Sequence, residues 1–92
     1  AWKRHMKMTM NLIVPVGKVQ FIFYSSNGNL ISNVTIGEEN FCRLTVPPKI
    51  WFGFKGLSKN DSYIFNISNI KHDSNEIERE LINKFPFVAE IN

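Results

Sequence analysis

Apolar and polar residues alternate along most of this chain, at the period of two that marks β-strands with one dry face. Between residues 2 and 16, Met6, Met8, Met10, Leu12, Val14 and Val16 share one side, and Lys3, His5, Lys7, Thr9 and Asn11 the other. The pattern predicts a single strand there. Pro15 lacks a backbone donor and so requires a bulge or an edge position. Val16-Gly17-Lys18 reverses the chain into Val19–Tyr24, which is apolar on both faces and therefore predicted to be central. Asn27-Gly28, within Ser25–Asn29, is a strong hairpin signal. Leu30–Ile36 alternates next, with Leu30, Val34 and Ile36 inward and Ile31, Asn33 and Thr35 outward. Gly37–Asn40 turns, and Phe41–Val46 follows with Cys42, Leu44 and Val46 on its dry face.

Pro47 and Pro48 then impose an extended corner with no ladder donors. Trp51–Lys55 resumes as a short strand, Leu57–Asp61 turns, and Ser62–Asn69 alternates with Tyr63, Phe65 and Ile67 inward. Short strands with a turn every 8–12 residues predict an all-β sandwich or barrel. The tail breaks the pattern at His72-Asp73-Ser74-Asn75. Ser74 or Asn75 is suited to cap a short helical turn through Leu81, while the thin apolar stripe Ile77, Leu81, Ile82 equally suits an extended, wrapping tail.

No repeat, linker or low-complexity segment divides the 92 residues, so the expectation is a single domain over 1–92. Hydrophobic residues make up 43% and aromatic residues 13%, with eight Phe and two Trp, a heavy apolar load for so small a volume. Part of it is expected in an interface, and a homodimer is the simplest form. The chain has no apolar run of membrane-spanning length and no leader pattern, so a cytoplasmic protein without membrane contact is expected. It opens on Ala1 inside a predicted strand, which predicts a native start further upstream.

The net charge of +3 gathers near the beginning, at Lys3, Arg4, Lys7 and Lys18. That cluster suits a phosphate group or a solvated strand end. Cys42 stands alone on an apolar face and reads as a small buried hydrophobe. Two histidines, His5 and His72, lie too far apart in sequence to signal a metal site, and no glycine-rich loop suggests a phosphate cradle. No cofactor is expected. Acid–base chemistry remains: His5 shares a polar face with Lys3 and Lys7, whose charges would favour the neutral imidazole needed for a general base. An exposed histidine at a strand end is the plainer reading. Trp51 and Phe52 are suited either to stacking on a flat ligand or to core and dimer contacts. No RNA-binding motif accompanies the basic residues, so nucleic acid is not expected as a partner.

Ala1-Trp2-Lys3-Arg4-His5, Leu12-Ile13-Val14-Pro15-Val16-Gly17-Lys18-Val19 and Leu44-Thr45-Val46-Pro47-Pro48 with Gly53-Phe54 resemble the dTDP-4-dehydrorhamnose 3,5-epimerase family. The resemblance implies a cupin-type double-stranded β-helix, that is, a jelly-roll barrel, with a short C-terminal tail or helical turn. It implies a dimeric isomerase acting on a dTDP-linked 4-keto sugar in nucleotide-sugar metabolism for cell-surface polysaccharide synthesis. It covers about residues 1–80, and the family's N-terminal strands would precede Ala1. Carried onto this chain, it makes His5 the catalytic base, gives Lys3 and Arg4 contacts to diphosphate or sugar, and lines the cavity with Trp51. The chain departs from the family elsewhere. Lys3 stands at the base histidine's own place, with His5 two residues on. Met10 replaces an active-site lysine, Phe52 a histidine, and Ile70-Lys71 stand where a tyrosine acid is expected. The alternative is a non-catalytic sugar-nucleotide-binding or structural cupin.

Overall fold

The computed structural model describes residues 1–87. Eight strands form in order: β1 (Trp2–His5), β2 (Met10–Val16), β3 (Lys18–Tyr24), β4 (Leu30–Gly37), β5 (Leu44–Val46), β6 (Trp51–Gly56), β7 (Tyr63–Asn66) and β8 (Ile77–Glu80). Every pairing is antiparallel. Five strands make one sheet in the order β4-β3-β6-β1-β8, and three make the other in the order β5-β2-β7. The fold is the all-β arrangement that the alternating pattern predicts, and it has the cupin-like form that the resemblance implies.

Residues 2–16 are two strands, not one. β1 belongs to the five-stranded sheet and β2 to the three-stranded sheet, and the chain crosses between them at Met6–Thr9. Alternation continues through the crossing, which is why the sequence conceals it. Met8, Met10, Leu12 and Val14 are buried as expected, but Val16 is exposed at the end of β2. The pairing of β2 with β7 shifts register between Ile13 and Val16, the bulge that Pro15 demands. β3 is central and buried along nearly its whole length. It pairs with β4 across the Asn27-Gly28 hairpin, where Gly28 takes φ +86°. Beyond a second register shift at Phe23 and Tyr24, Leu30 is exposed, contrary to its expected inward position.

β7 carries the largest reversal. Tyr63, Phe65 and Ile67, expected inward, are 54%, 55% and 61% exposed, and Ile64 packs against the core instead. Hydrogen bonding sets this register. The side-chain Oδ1 of Asn66 accepts from Asn11 N at 3.1 Å, and that of Asn69 from Thr9 N at 2.8 Å, so two amides act as ladder acceptors along β2. The outward apolar row is the kind of patch that marks an interaction surface.

Two apolar clusters flank the five-stranded sheet. Between the sheets lie Val19, Phe21, Phe23, Ile36 and Phe52, facing Met10, Leu12, Val14 and Val46. On the opposite face Trp2, Ile22, Tyr24 and Trp51 pack under Phe85 of the tail. The described tail follows the extended, wrapping alternative, with short 3-10 turns and no helix through Leu81. Asp73, rather than Ser74 or Asn75, caps a 3-10 turn over Ser74–Glu76 by accepting from Asn75 N, and β8 then pairs with all of β1. Trp2 Nε1 donates to Ile82 O at 3.0 Å and the Tyr24 hydroxyl to Pro86 O at 2.6 Å, which ties the tail down. Among the described residues, no helix is long and apolar enough to cross a membrane.

Gly53 lets Trp2 lie flat on β6: a Cβ there would stand 2.6 Å from Trp2 Cζ3 and 2.8 Å from Cε3. Trp2 is fully buried and has nowhere to move. Gly53→Ala is therefore expected to destabilise the protein by about 1–3 kcal/mol in urea denaturation. A midpoint unchanged from the parent protein would contradict this packing.

Candidate functional site

β1 is fully buried at Trp2 and partly buried from Lys3 to His5, and alternation sends successive side chains to opposite sides of the sheet. Trp2 and Arg4 join the tail cluster; Lys3 and His5 face the other way with Phe52 of β6. The His5 ring stacks on Phe52 with centroids 5.9 Å apart and planes 7° from parallel. The proline corner is strapped to the same residue. Lys49 N donates to His5 O at 2.6 Å, and the Ser26 hydroxyl donates to Lys49 O at 2.7 Å. These two bonds hold Lys49 at φ +69°, a left-handed conformation that costs a non-glycine residue roughly 1–2 kcal/mol. They also set the start of β6, which places Phe52 under the imidazole.

The partner of His5 comes from 71 residues away. Nδ1 lies 2.5 Å from Glu76 Oε1, with 11% of the His5 side chain and 3% of the Glu76 side chain exposed. The other carboxylate oxygen accepts from Lys7 N at 2.9 Å and Met8 N at 3.4 Å. Those two amides sit where the chain leaves one sheet for the other, so Glu76 satisfies donors that neither sheet pairs. Burial alone would raise the Glu76 carboxyl. The Lys7 amide, the hydrogen bond and charge of His5, and the Met8 amide together outweigh burial and bring it down to about 2. A carboxylate that stays ionised can only accept, so the proton between the two groups is assigned to Nδ1. Nε2 is the ring nitrogen turned away from Glu76. This is the arrangement of an oriented general base.

The cationic surroundings expected of His5 are thus replaced by a carboxylate in direct contact. Lys3 does share the His5 face, and it lines a cavity of about 280 Å³ with Trp2, Phe52, Phe54, Ile82 and Phe87, which His5 itself does not line. That volume sits just below the range of small-molecule pockets. Arg4 points away. Its guanidinium bonds Glu78 Oε2 at 3.0 Å and Ser26 Oγ at 3.1 Å and lies 4.6 Å over the Trp51 ring. Trp51 is buried between Arg4 and Phe85 and belongs to the tail cluster rather than to the His5 side. The structure therefore brings Lys3 and His5 together and sets Arg4 and Trp51 on the opposite face.

A larger opening of about 900 Å³, lined by Lys18, Gln20, Thr35, Glu38 and Lys55 among others, lies at the other end of the five-stranded sheet. Among the described residues it holds no buried acid–base pair like that of His5 and Glu76. Of the two tyrosines, Tyr63 lies on the outer face of the small sheet, and Tyr24 bonds Pro86 O with its hydroxyl pushed up in pKa by burial. His72 is exposed. No group of three His, Cys, Asp or Glu side chains among the described residues is placed to hold a metal ion.

No protein-family model matches the chain, and no curated protein matches it. Among solved structures, the fold is similar to that of a dTDP sugar isomerase from Desulfovibrio desulfuricans G20, with a TM-score of 0.87 and 31% sequence identity. The likeness covers 96% of this chain and 61% of that one, so the chain spans about three fifths of that isomerase's length.

The Glu76 carboxyl gives the fold a defined response to acid. Between its ordinary value of 4.5 and about 2, the unfolded chain takes up a proton that the folded chain refuses. Stability from this group is complete above pH 4.5 and declines as pH falls toward 2, by about 3 kcal/mol in all. Glu76→Gln is expected to flatten that slope, as read by urea denaturation from pH 6 to 2.5. Parallel slopes for the two proteins would contradict the assignment.

Proposed function

We propose that the protein is a sugar-nucleotide isomerase that takes a proton from a carbon beside the carbonyl of a dTDP-linked 4-keto sugar. The observation that carries this reading is the buried His5–Glu76 pair, which orients the His5 ring on the face shared with Lys3. Hydrogens beside a ketone are acidic enough for an imidazole when the enolate oxygen meets a positive group, and the Lys3 ammonium supplies that charge. Likeness to a dTDP sugar isomerase supports the ligand class. Arg4 has no part in the reading, since Glu78 and Trp51 already engage it. The pathway remains the one implied by the resemblance, nucleotide-sugar metabolism for cell-surface polysaccharide synthesis, with the protein as a homodimer.

The test is solvent exchange. In D₂O, the protein is expected to place deuterium on a carbon next to the ketone of a dTDP-linked 4-keto-6-deoxyhexose. His5→Asn, which keeps a side-chain donor toward Glu76, is expected to slow this by about 10²-fold or more while the melting temperature holds. Exchange that persists in His5→Asn would remove His5 from the chemistry. If the parent protein exchanges nothing but dTDP perturbs its NMR spectrum, the non-catalytic sugar-nucleotide-binding cupin is the correct reading.

A further inference from the structure

We propose that two copies of this chain meet at the open edge of the three-stranded sheet, with β7 pairing antiparallel with β7 of the second copy. The proposal needs nothing of the chemistry at His5, and it gives the homodimer a surface.

In the order β5-β2-β7, β7 has β2 on one side and, among the described residues, no strand on the other. Ile67 N donates to Asn11 O at 2.9 Å and Asn69 N to Thr9 O at 3.4 Å. The odd-numbered residues therefore bond β2, and the backbone of Ile64, Asn66 and Ser68 faces the open edge. Such an edge is a template for another strand unless charge, proline or a covering segment blocks it. The other edges carry those blocks. β5 is three residues long and runs into Pro47-Pro48, and β8 reads Ile-Glu-Arg-Glu. The loop after β4 folds back on that strand, with Asn40 Nδ2 donating to Thr35 O at 2.9 Å. β7, Tyr-Ile-Phe-Asn, has neither charge nor proline.

The residues flanking β7 suit a second copy of the same strand. Charge is antisymmetric about Asn66: Lys59 and Asp73 stand seven residues to either side, and Asp61 and Lys71 five. All four are exposed. A two-fold axis at Asn66 lays each of these lysines toward an aspartate of the other copy. On the outward face it sets Phe65 opposite Ile67 of the second copy, and Ile67 opposite Phe65, with cross-strand neighbours about 5 Å apart. Through the backbone it pairs Asn66 with Asn66 and Ile64 with Ser68, the residues whose bonding groups face the edge. Backbone, apolar row and charge thus agree on one alignment. That alignment is isologous and closes on itself, so no open β7 edge is left to grow a fibre. The two three-stranded sheets become one, in the order β5-β2-β7-β7-β2-β5, and the half-exposed Tyr63, Phe65 and Ile67 of both copies form a single row.

Sedimentation velocity across micromolar to millimolar protein is expected to show a species of twice the 10.7 kDa chain mass. Phe65→Lys, at an exposed position, is expected to weaken the association about tenfold or more. Asp61→Lys sets a lysine toward Lys71 and is expected to weaken it about fivefold, while Asp61→Lys with Lys71→Asp returns it to within about twofold of the parent protein. In a mixture of isotope-labelled and unlabelled parent protein, NOEs between the Phe65 ring of one copy and the Ile67 methyls of the other are expected, a readout that does not depend on any variant folding. A parent protein that stays monomeric, a dimer without those NOEs, or a folded double variant no tighter than Asp61→Lys would overturn the proposal. None of these results bears on the solvent-exchange test of His5, so the two readings fail separately.

Discussion

A buried carboxylate must be fully satisfied or it unfolds the site around it. Glu76 meets that condition through three donors, the His5 imidazole and the Lys7 and Met8 amides. Each solves a different problem. The two amides belong to the crossing where the chain passes from the large sheet to the small one and loses its ladder partners. The imidazole belongs to the face that carries the proposed site. One side chain therefore closes a topological gap and fixes the orientation of a base, so the fold at this corner and the chemistry beside it stand or fall together.

The rest of the molecule serves this contact by holding β1 still. β8 pairs with β1 over its full length, and Glu76 directly precedes β8, so the register of that pair delivers the carboxylate to His5. On the far face, Trp2 is boxed by Tyr24 and Phe85 in edge-on contacts at 5.5 and 5.4 Å. Arg4 is clamped by Glu78 and Trp51. On the near face, the proline corner bonds the His5 carbonyl and sets Phe52 against the ring. A side chain held through its own strand in this way is pre-organised before any ligand arrives.

Much of the fold was legible because its signals are local. Asn27-Gly28, the doubly apolar Val19–Tyr24 and the bulge at Pro15 each report a backbone requirement that the residues nearby decide. The errors arose where distant partners decide. Alternation ran unbroken from β1 into β2, and nothing within residues 2–16 marks the change of sheet. In β7, Asn66 and Asn69 chose the register by bonding the backbone of β2, against the apolar pattern of Tyr63, Phe65 and Ile67. The site followed the same rule. His5 was visible as a histidine on a polar face, but Glu76 was not, because it lies in the polar segment read as a helical turn or a wrapping tail, where nothing nearby marks a carboxylate for burial. Only the pairing of β8 with β1 turns that carboxylate inward. Trp51 and Arg4 were equally misleading, since one residue of phase along β1 and β6 separates the reactive face from the tail cluster.

The claim that Glu76 fixes the base is open to direct observation. Long-range proton–nitrogen correlation spectra of the protein, recorded at a pH where the imidazole of His5 is neutral, distinguish its two tautomers. The account predicts a proton on Nδ1 and a bare Nε2, with that preference lost in Glu76→Ala. A proton on Nε2 in the parent protein, or the same tautomer ratio in both proteins, would contradict it.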